Sequence, residues 1–247
     1  MGQRLAAFTI SVLTMAVPAW PADQDVRSSS GKAALAFFEG QTGDRIDTLL
    51  SRLRPDPLDP ASRAQVIASL PKDGELRPSR SEMEKIAAAE RILDYSARKE
   101  AITVKVIDLD SAFTGLYYRT VLLVSRQQLA ILEADEFAAL AAHEVGHDYD
   151  WNAYWTAIQE KDHARRQVLE LRADGLAVLT LRGAGIDPER LVSAVRKTMR
   201  YHDGRGEAAN ADDYVSLQER VAFIRAIAAL AWPKSSVAEA ASAIAPK

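Results

Sequence analysis

The amino-acid sequence predicts an α+β fold that is mainly α, with a small β-hairpin or sheet beside one central helix. Residues 137–142 are apolar helix formers that lead directly into a cluster of histidine and glutamate. Residues 102–106 alternate apolar and polar side chains, which indicates a half-buried strand, and residues 116–124 are expected to be its hairpin partner. With 247 residues, of which 48% are hydrophobic, the chain is long enough to bury one sizeable core.

Four regions follow one another along the chain. Residues 1–19 combine a positive start, a short apolar stretch and small residues before a cleavage point, which is typical of a secretory signal peptide. Residues 20–80 are expected to form a flexible and helical N-terminal arm, interrupted by a proline-rich connector at residues 55–60. The main domain is predicted at residues 81–232, and residues 233–247 are predicted to be a frayed tail.

The signal peptide predicts that the protein is periplasmic or secreted, with an uncleaved N-terminal anchor as the alternative. No later segment reaches 18 uninterrupted apolar residues, so we expect no integral membrane segment after signal removal. A net charge of −3 gives no basic footprint for nucleic acid, which is therefore not expected as a partner. The sequence has no cysteine, so neither a disulfide nor a thiolate metal ligand can form.

The central helix carries His143-Glu144-Val145-Gly146-His147, a motif of the form HExxH. At about 100° per residue, His143 and His147 lie one turn apart on the same helix face, where two imidazoles can bind one zinc ion. Glu144 then lies beside the metal and can take a proton from the zinc-bound water. Asp148 is unexpected, because a charge directly after the second histidine does not suit a buried metal helix.

A catalytic zinc needs three protein ligands and one open position, so without cysteine the third ligand must be His, Asp or Glu. His163 and His202 are the remaining histidines. The better candidates are Glu170 and Asp174, which share a helix face, while Ala173 is small enough to let that helix approach a neighbour closely. Glu170 could bind zinc while Asp174 accepts the ring N–H of a ligand histidine. The alternative is a solvated pair of carboxylates without a metal.

The HEVGH sequence at residues 143–147, followed by ELRAD at residues 170–174, resembles the HExxH…ExxAD signature of the HtpX-like and CAAX-prenyl-protease-like zinc metallopeptidases. These form metallopeptidase family forty-eight, within the gluzincins, and the resemblance spans roughly residues 85–230. It implies a zincin-like fold with one zinc ion per chain. The zinc ligands that it implies are His143, His147 and Glu170, with Glu144 as general base and Asp174 as a supporting hydrogen-bond acceptor.

Two stretches depart from the family pattern. Residues 111–115 read Ser-Ala-Phe-Thr-Gly where members usually carry an Asn-Ala-Phe-Ala-like stretch. A downstream His-Pro-x-x-x-x-Arg pattern is matched only in part, by Tyr214 in the histidine position and by Arg220. A donor must stabilise the oxyanion of the reaction, and Tyr214, Arg220 and His202 are the candidates, in that order. Arg220 could equally be a structural ion-pair partner of Asp174 or Glu219.

The function that these residues predict is a zinc metalloendopeptidase that hydrolyses peptide bonds of exported or envelope proteins. A protein or peptide substrate could bind as an added strand along the edge of the predicted hairpin. The aromatic residues Trp151, Tyr154 and Trp155 could line a subsite or pack the helix end. Two other functions remain: a non-catalytic zinc-binding chaperone-like or envelope-assembly module on a protease fold, and a helical binding domain without a metal.

Overall fold

The computed structural model describes residues 26–70, 75–206 and 215–233, and within these ranges the chain forms ten α-helices and four β-strands. The fold is α+β and mainly α, as the sequence predicts. The predicted signal peptide at residues 1–19, Tyr214 and residues 234–247 of the predicted tail lie outside the described residues. In the described part of the chain, no helix has the length and apolar character needed to cross a membrane.

The helices differ widely in length and burial. The two helices with the most buried residues carry the sequence motifs, and the others surround them. Their bounds are α1 (Ser29–Glu39), α2 (Ile46–Leu53), α3 (Pro60–Ser69), α4 (Arg80–Tyr95), α5 (Arg126–Ile131), α6 (Ala134–Tyr149), α7 (Trp151–Glu160), α8 (His163–Gly183), α9 (Glu189–Arg205) and α10 (Leu217–Ala229).

The predicted N-terminal arm is helical, and two of its three helices are part of the core. Ser28 caps α1 with its hydroxyl, and Asp59 caps α3 with Pro60 in the first turn. Phe38 of α1 and Leu49 of α2 are fully buried, and both helices pack against α8. The arm therefore helps to hold the helix that carries the second motif.

The four strands are β1 (Glu75–Leu76), β2 (Thr103–Ile107), β3 (Thr114–Tyr117) and β4 (Val121–Ser125), in the sheet order β1-β2-β4-β3. Here the sequence prediction was wrong in its pairing. Residues 116–124 are not the hairpin partner of β2: they belong to two strands, and β4 runs parallel to β2. The hairpin is formed by β3 and β4, which pair antiparallel, and β3 is at the edge of the sheet.

This difference in strand pairing is caused by a tight turn that lacks the usual turn residues. Tyr118 and Arg119 both have positive φ, 43° and 59°, and the N–H of Thr120 donates to the carbonyl of Tyr117 at 3.0 Å. Positive φ at both central positions is the pattern of a type I′ turn, which usually contains Asn and Gly. The side chains compensate, because the ring of Tyr118 packs near Trp151 and Trp155 while Arg119 forms an ion pair with Asp148.

The close approach of α6 and α8 brings the two motifs together. A Cβ at Gly146 would lie 2.7 Å from the carbonyl oxygen of Ala173, so only glycine fits at this crossing. The expectation that Ala173 lets its helix approach a neighbour closely is confirmed. Both helices are largely buried, which fixes their side chains against each other with little freedom to shift.

Candidate metal centre

Three buried side chains from α6 and α8 converge at this crossing. The Nε2 atoms of His143 and His147 lie 3.1 Å apart, and Oε2 of Glu170 lies 3.5 Å from the first and 3.7 Å from the second. All three residues are at most 8% exposed. Donor atoms of this kind, gathered so closely, could hold a metal ion. The sequence prediction that these three residues share one site is confirmed.

Asp174 orients the first histidine from the opposite side. One of its carboxylate oxygens lies 2.8 Å from Nδ1 of His143, which turns Nε2 toward the other two candidate ligands. Arg220 of α10 donates to both oxygens of Asp174, at 2.6 and 2.7 Å. Arg220 is thus an ion-pair partner of Asp174, the alternative that the sequence left open, and it also lines the cavity beside the site.

Tyr154 of α7 supports the third candidate ligand. Its hydroxyl donates to Oε1 of Glu170 at 2.7 Å, which leaves Oε2 directed at the histidines. Its ring packs against His147 with 4.5 Å between the ring centroids. The sequence indicates an aromatic cluster here, but no spacing rule links Tyr154 to Glu170, because α7 ends at Glu160 and Glu170 is on the next helix, α8.

His143, His147 and Glu170 form a buried triad in which the two imidazoles differ in pKa. Burial opposes the charged form of both rings, but the carboxylate of Asp174 outweighs it at His143 and raises the pKa of that ring to about 9. At His147, burial outweighs the attraction of the Glu170 carboxylate 3.7 Å away and lowers the pKa of the ring to about 4. Burial would raise the pKa of Glu170, yet the adjacent His147 and His143 hold it well below its usual range. Glu170 is therefore an anion at neutral pH.

Glu144 lies beside the triad but is not part of it. Burial raises the pKa of its carboxyl group to about 7, and its Oε2 accepts a hydrogen bond from the backbone N–H of Leu116 in β3 at 3.0 Å. The edge strand of the sheet and the HExxH helix thus meet at this one carboxylate. A carboxyl group with a pKa near neutrality can both accept and return a proton.

A cavity of about 450 Å³ opens over these groups. Its walls are the segment that enters β3, one face of α9, and the start of α7, with α6 as the floor. His202 lines it from α9, which extends to Arg205. The remaining histidine, His163, begins α8 away from the triad.

Asp148, the unexpected charge after the motif, is buried between two arginines. Its carboxylate oxygens lie 2.7 Å from Arg98 and 2.6 Å from Arg119. The same arginines donate to the carbonyls of Pro55 and Asp56 in the proline-rich connector, at 2.6 and 2.7 Å. Asp148 on α6 thereby links its own helix to the hairpin turn and to the proline-rich connector.

No family model matches the chain, and no curated protein matches it.

Proposed function

We propose that the protein is a zinc-dependent endopeptidase that hydrolyses peptide bonds of exported or envelope proteins. The observation that carries the proposal is the placement of Glu144: a partly buried carboxylate beside two histidines and a glutamate that could hold a metal, at the floor of an open cavity. A purely structural metal site would have no use for a base in this position. Location in the envelope rests on the predicted signal peptide.

The donor set suits zinc. Two imidazole nitrogens and one carboxylate oxygen are the ligands of many catalytic zinc sites, and ligands about 2.0–2.1 Å from a tetrahedral ion are about 3.3 Å from each other. The three separations between the donor atoms of His143, His147 and Glu170 are 3.1, 3.5 and 3.7 Å. Three protein ligands leave one position open on the side of the cavity.

The chain's own residues would divide the chemistry among them. Zinc, when bound, supplies a Lewis acid that lowers the pKa of water and polarises a carbonyl. Glu144 would take the proton from the attacking water and pass it to the leaving amine. Asp174 and Tyr154 would hold His143 and Glu170 in place. For the oxyanion donor, Arg220 is committed to Asp174 but lines the cavity, and Tyr214 stays a prediction.

The sheet edge offers a way to bind an extended peptide. β3 is an edge strand, it lines the cavity, and one of its N–H groups already reaches Glu144. A substrate added along this edge would pass directly over the triad and would be held mainly by backbone hydrogen bonds. Such binding suits a protease that acts on many protein sequences.

The order of the motifs also supports a zincin-like fold of the HtpX-like and CAAX-prenyl-protease-like type. Both halves of the resemblance lie at the helix crossing, since the HExxH residues are on α6 and the ELRAD residues are on α8. In a family of this kind, His143, His147 and Glu170 would bind the zinc ion and Glu144 would act as the general base.

Casein cleavage by the full-length chain with zinc supplied, beside Glu144→Gln, tests the proposal. We expect cleavage by the native chain only, with about one zinc bound in both proteins, because the amide cannot take a proton but leaves the ligands intact. Glu160→Gln, an exposed change at the end of α7, is the matched control and should cleave like the native chain. Equal cleavage by Glu144→Gln would overturn the role of Glu144.

The same experiment separates the two other functions. Stoichiometric zinc without cleavage by any of the three proteins would favour a non-catalytic zinc-binding module. Absence of zinc from the native chain would leave a helical binding domain without a metal.

A further inference from the structure

We infer that the cavity contains a subsite for a glutamine or asparagine side chain of the substrate, built around Gln128. This inference rests on the proposed peptidase function for its biological meaning, but it arises from a different observation. Gln128 of α5 is fully buried, it lines the cavity, and its Oε1 has no hydrogen-bond partner among the described residues. A buried amide oxygen without a partner is costly, and native proteins rarely leave one without a reason.

The position of Gln128 places this subsite beside the reacting groups. Its Nε2 donates to Oγ1 of Thr198 on α9 at 2.7 Å, which holds the amide against the wall of the cavity. Leu140, another lining residue, is one helical turn before Glu144 on α6. Gln128 and Glu144 line the same cavity, so a substrate side chain that reaches Gln128 would belong to the peptide bound over Glu144.

The walls of this end of the cavity are apolar or neutral. Leu140 and Val195 are buried, and Met199 lies one residue beyond Thr198 on α9. The two carboxylates among the lining residues, those of Glu144 and Glu170, already accept hydrogen bonds from the N–H of Leu116 and from α7. A charged substrate side chain would lose its hydration here without gaining an opposite charge, so the subsite favours neutral side chains.

A second oxygen without a partner points to the same ligand chemistry. Oγ1 of Thr114, on the edge strand β3, is also buried and without a hydrogen-bond partner among the described residues, and Thr114 lines the same cavity. An amide oxygen can only accept, whereas a hydroxyl can accept or donate. A primary amide, which donates through nitrogen and accepts through oxygen, complements both.

An amide ligand also satisfies Gln128 in either orientation of its terminal group. If the oxygen faces the cavity, the ligand nitrogen donates to it; if the nitrogen faces the cavity, the ligand oxygen accepts. Methionine has nearly the shape of glutamine but leaves the buried amide without a partner. We expect it to bind roughly tenfold more weakly.

The test is binding of two blocked pentapeptides, alanine throughout except for a central glutamine or methionine, to the ¹⁵N-labelled full-length chain with a chelator present. The side-chain amide signal of Gln128 is identified by its loss in Gln128→Leu. We expect this signal to shift with the glutamine peptide at roughly tenfold lower concentration than with the methionine peptide. Equal concentrations, or no shift of this signal with either peptide, would overturn the subsite.

Two variants and one control complete the design. Gln128→Leu and Thr198→Val should each reduce the preference for glutamine toward one, the second because it releases the amide from its hydroxyl partner. In these variants the preference is read from the backbone amide signal of Thr114, a cavity-lining residue that all of them keep. Gln127→Leu changes the neighbouring glutamine, which does not line the cavity, and should keep the native preference. A preference unchanged in both Gln128→Leu and Thr198→Val would place the recognition elsewhere.

Cleavage of the same peptides by the zinc-loaded chain separates this inference from the proposed function. An amide signal that shifts selectively without any cleavage supports the subsite and counts against the peptidase. Cleavage of both peptides at equal kcat/KM supports the peptidase and overturns the subsite.

Discussion

Asp148 shows how a residue that looks misplaced in the sequence can be required by the structure. It is 2% exposed, as is its partner Arg98. We expect Asp148→Asn to lower the free energy of unfolding by about 3–5 kcal/mol, because it leaves two arginines facing a neutral group in the interior. Urea unfolding measures this. The triple variant Arg98→Met/Arg119→Met/Asp148→Leu, which removes both arginines with the aspartate, should recover most of the loss. A single variant as stable as the native chain would contradict the prediction.

The hydrogen bond from Asp174 to His143 can be tested through the metal. Asp174→Asn keeps the shape but removes the charge that orients the imidazole and pairs with Arg220. Loss of such a support typically weakens metal binding about 10–100-fold. Competition with a chromogenic chelator measures the zinc Kd, and Asp187→Asn, an exposed change at the start of α9, is the control. An unchanged Kd would show that Asp174 does not support the site.

The raised pKa of His143 predicts that zinc binding releases a proton. The pKa of His143 is about 9, so this ring is protonated in the metal-free chain at pH 7. His147, with a pKa of about 4, is already neutral at that pH. Zinc must displace the proton from His143, so its affinity should rise with pH between 7 and 9 and level off above that. Calorimetry in buffers of different ionisation enthalpy should find about one proton released per zinc at pH 7. Release of none would contradict the assigned charge states.

At the scale of elements, the sequence predicts a helix more reliably than a strand pairing. The HExxH helix and the helix of Glu170 were predicted because apolar periodicity and four-residue spacing are local properties. The partner of β2 was predicted wrongly because pairing depends on where the turn falls. Tyr118 and Arg119 adopt a turn that favours Asn and Gly, and only contacts with Trp151 and Asp148, distant in sequence, make it tolerable.

The start of α6 predicts how the fold responds to acid. Glu136 caps the helix by accepting from the N–H of Glu133 at 2.7 Å, and it also accepts from Lys197 and Ser193. Burial would raise its pKa, but these hydrogen bonds and the charge of Lys197 lower it below the ordinary value of 4.5. Its contribution to stability is therefore complete above pH 4.5 and is lost as the pH falls through the lower, folded-state pKa.

Glu136→Gln tests this by removing the titration while keeping the shape. We expect it to cost about 1 kcal/mol at pH 7, as for a lost helix cap, and to flatten the loss of stability below pH 4.5. Urea unfolding at a series of pH values measures both effects, with exposed Glu160→Gln as the control. If the free energy of unfolding of Glu136→Gln falls below pH 4.5 as steeply as that of the native chain, the acid sensitivity belongs to other groups.

At the scale of the whole molecule, the candidate site was more predictable than its surroundings. His143, His147, Glu170 and Asp174 followed from two short motifs, because a metal restricts which residue types can lie at which spacing. Gln128 carried no such signal: it is an ordinary helix residue whose role depends on α9 lying across from it. Tyr154 is similar, since its partner is on another helix.

The N-terminal arm gives the sharpest test of the whole fold. The sequence indicated a flexible and helical arm ahead of the main domain, whereas Phe38 of α1 is fully buried between Phe223 and α8. Its ring fills the space that a Cβ at Gly175 would need, and Gly175 directly follows Asp174. The arm and the candidate metal centre are therefore expected to unfold together.

Phe38→Ala should accordingly lower the free energy of unfolding of the entire chain by about 3–5 kcal/mol, the usual cost of removing a buried phenylalanine. Tryptophan fluorescence reports unfolding of the cavity and the core, because Trp151 lines the cavity and Trp232 is in the core. Both tryptophans are far along the chain from residue 38. Phe37→Ala, on the partly exposed neighbouring ring, should cost less. If the arm were an independent attachment, Phe38→Ala would leave the tryptophan transition where it is, since a separate arm shares no core with those residues.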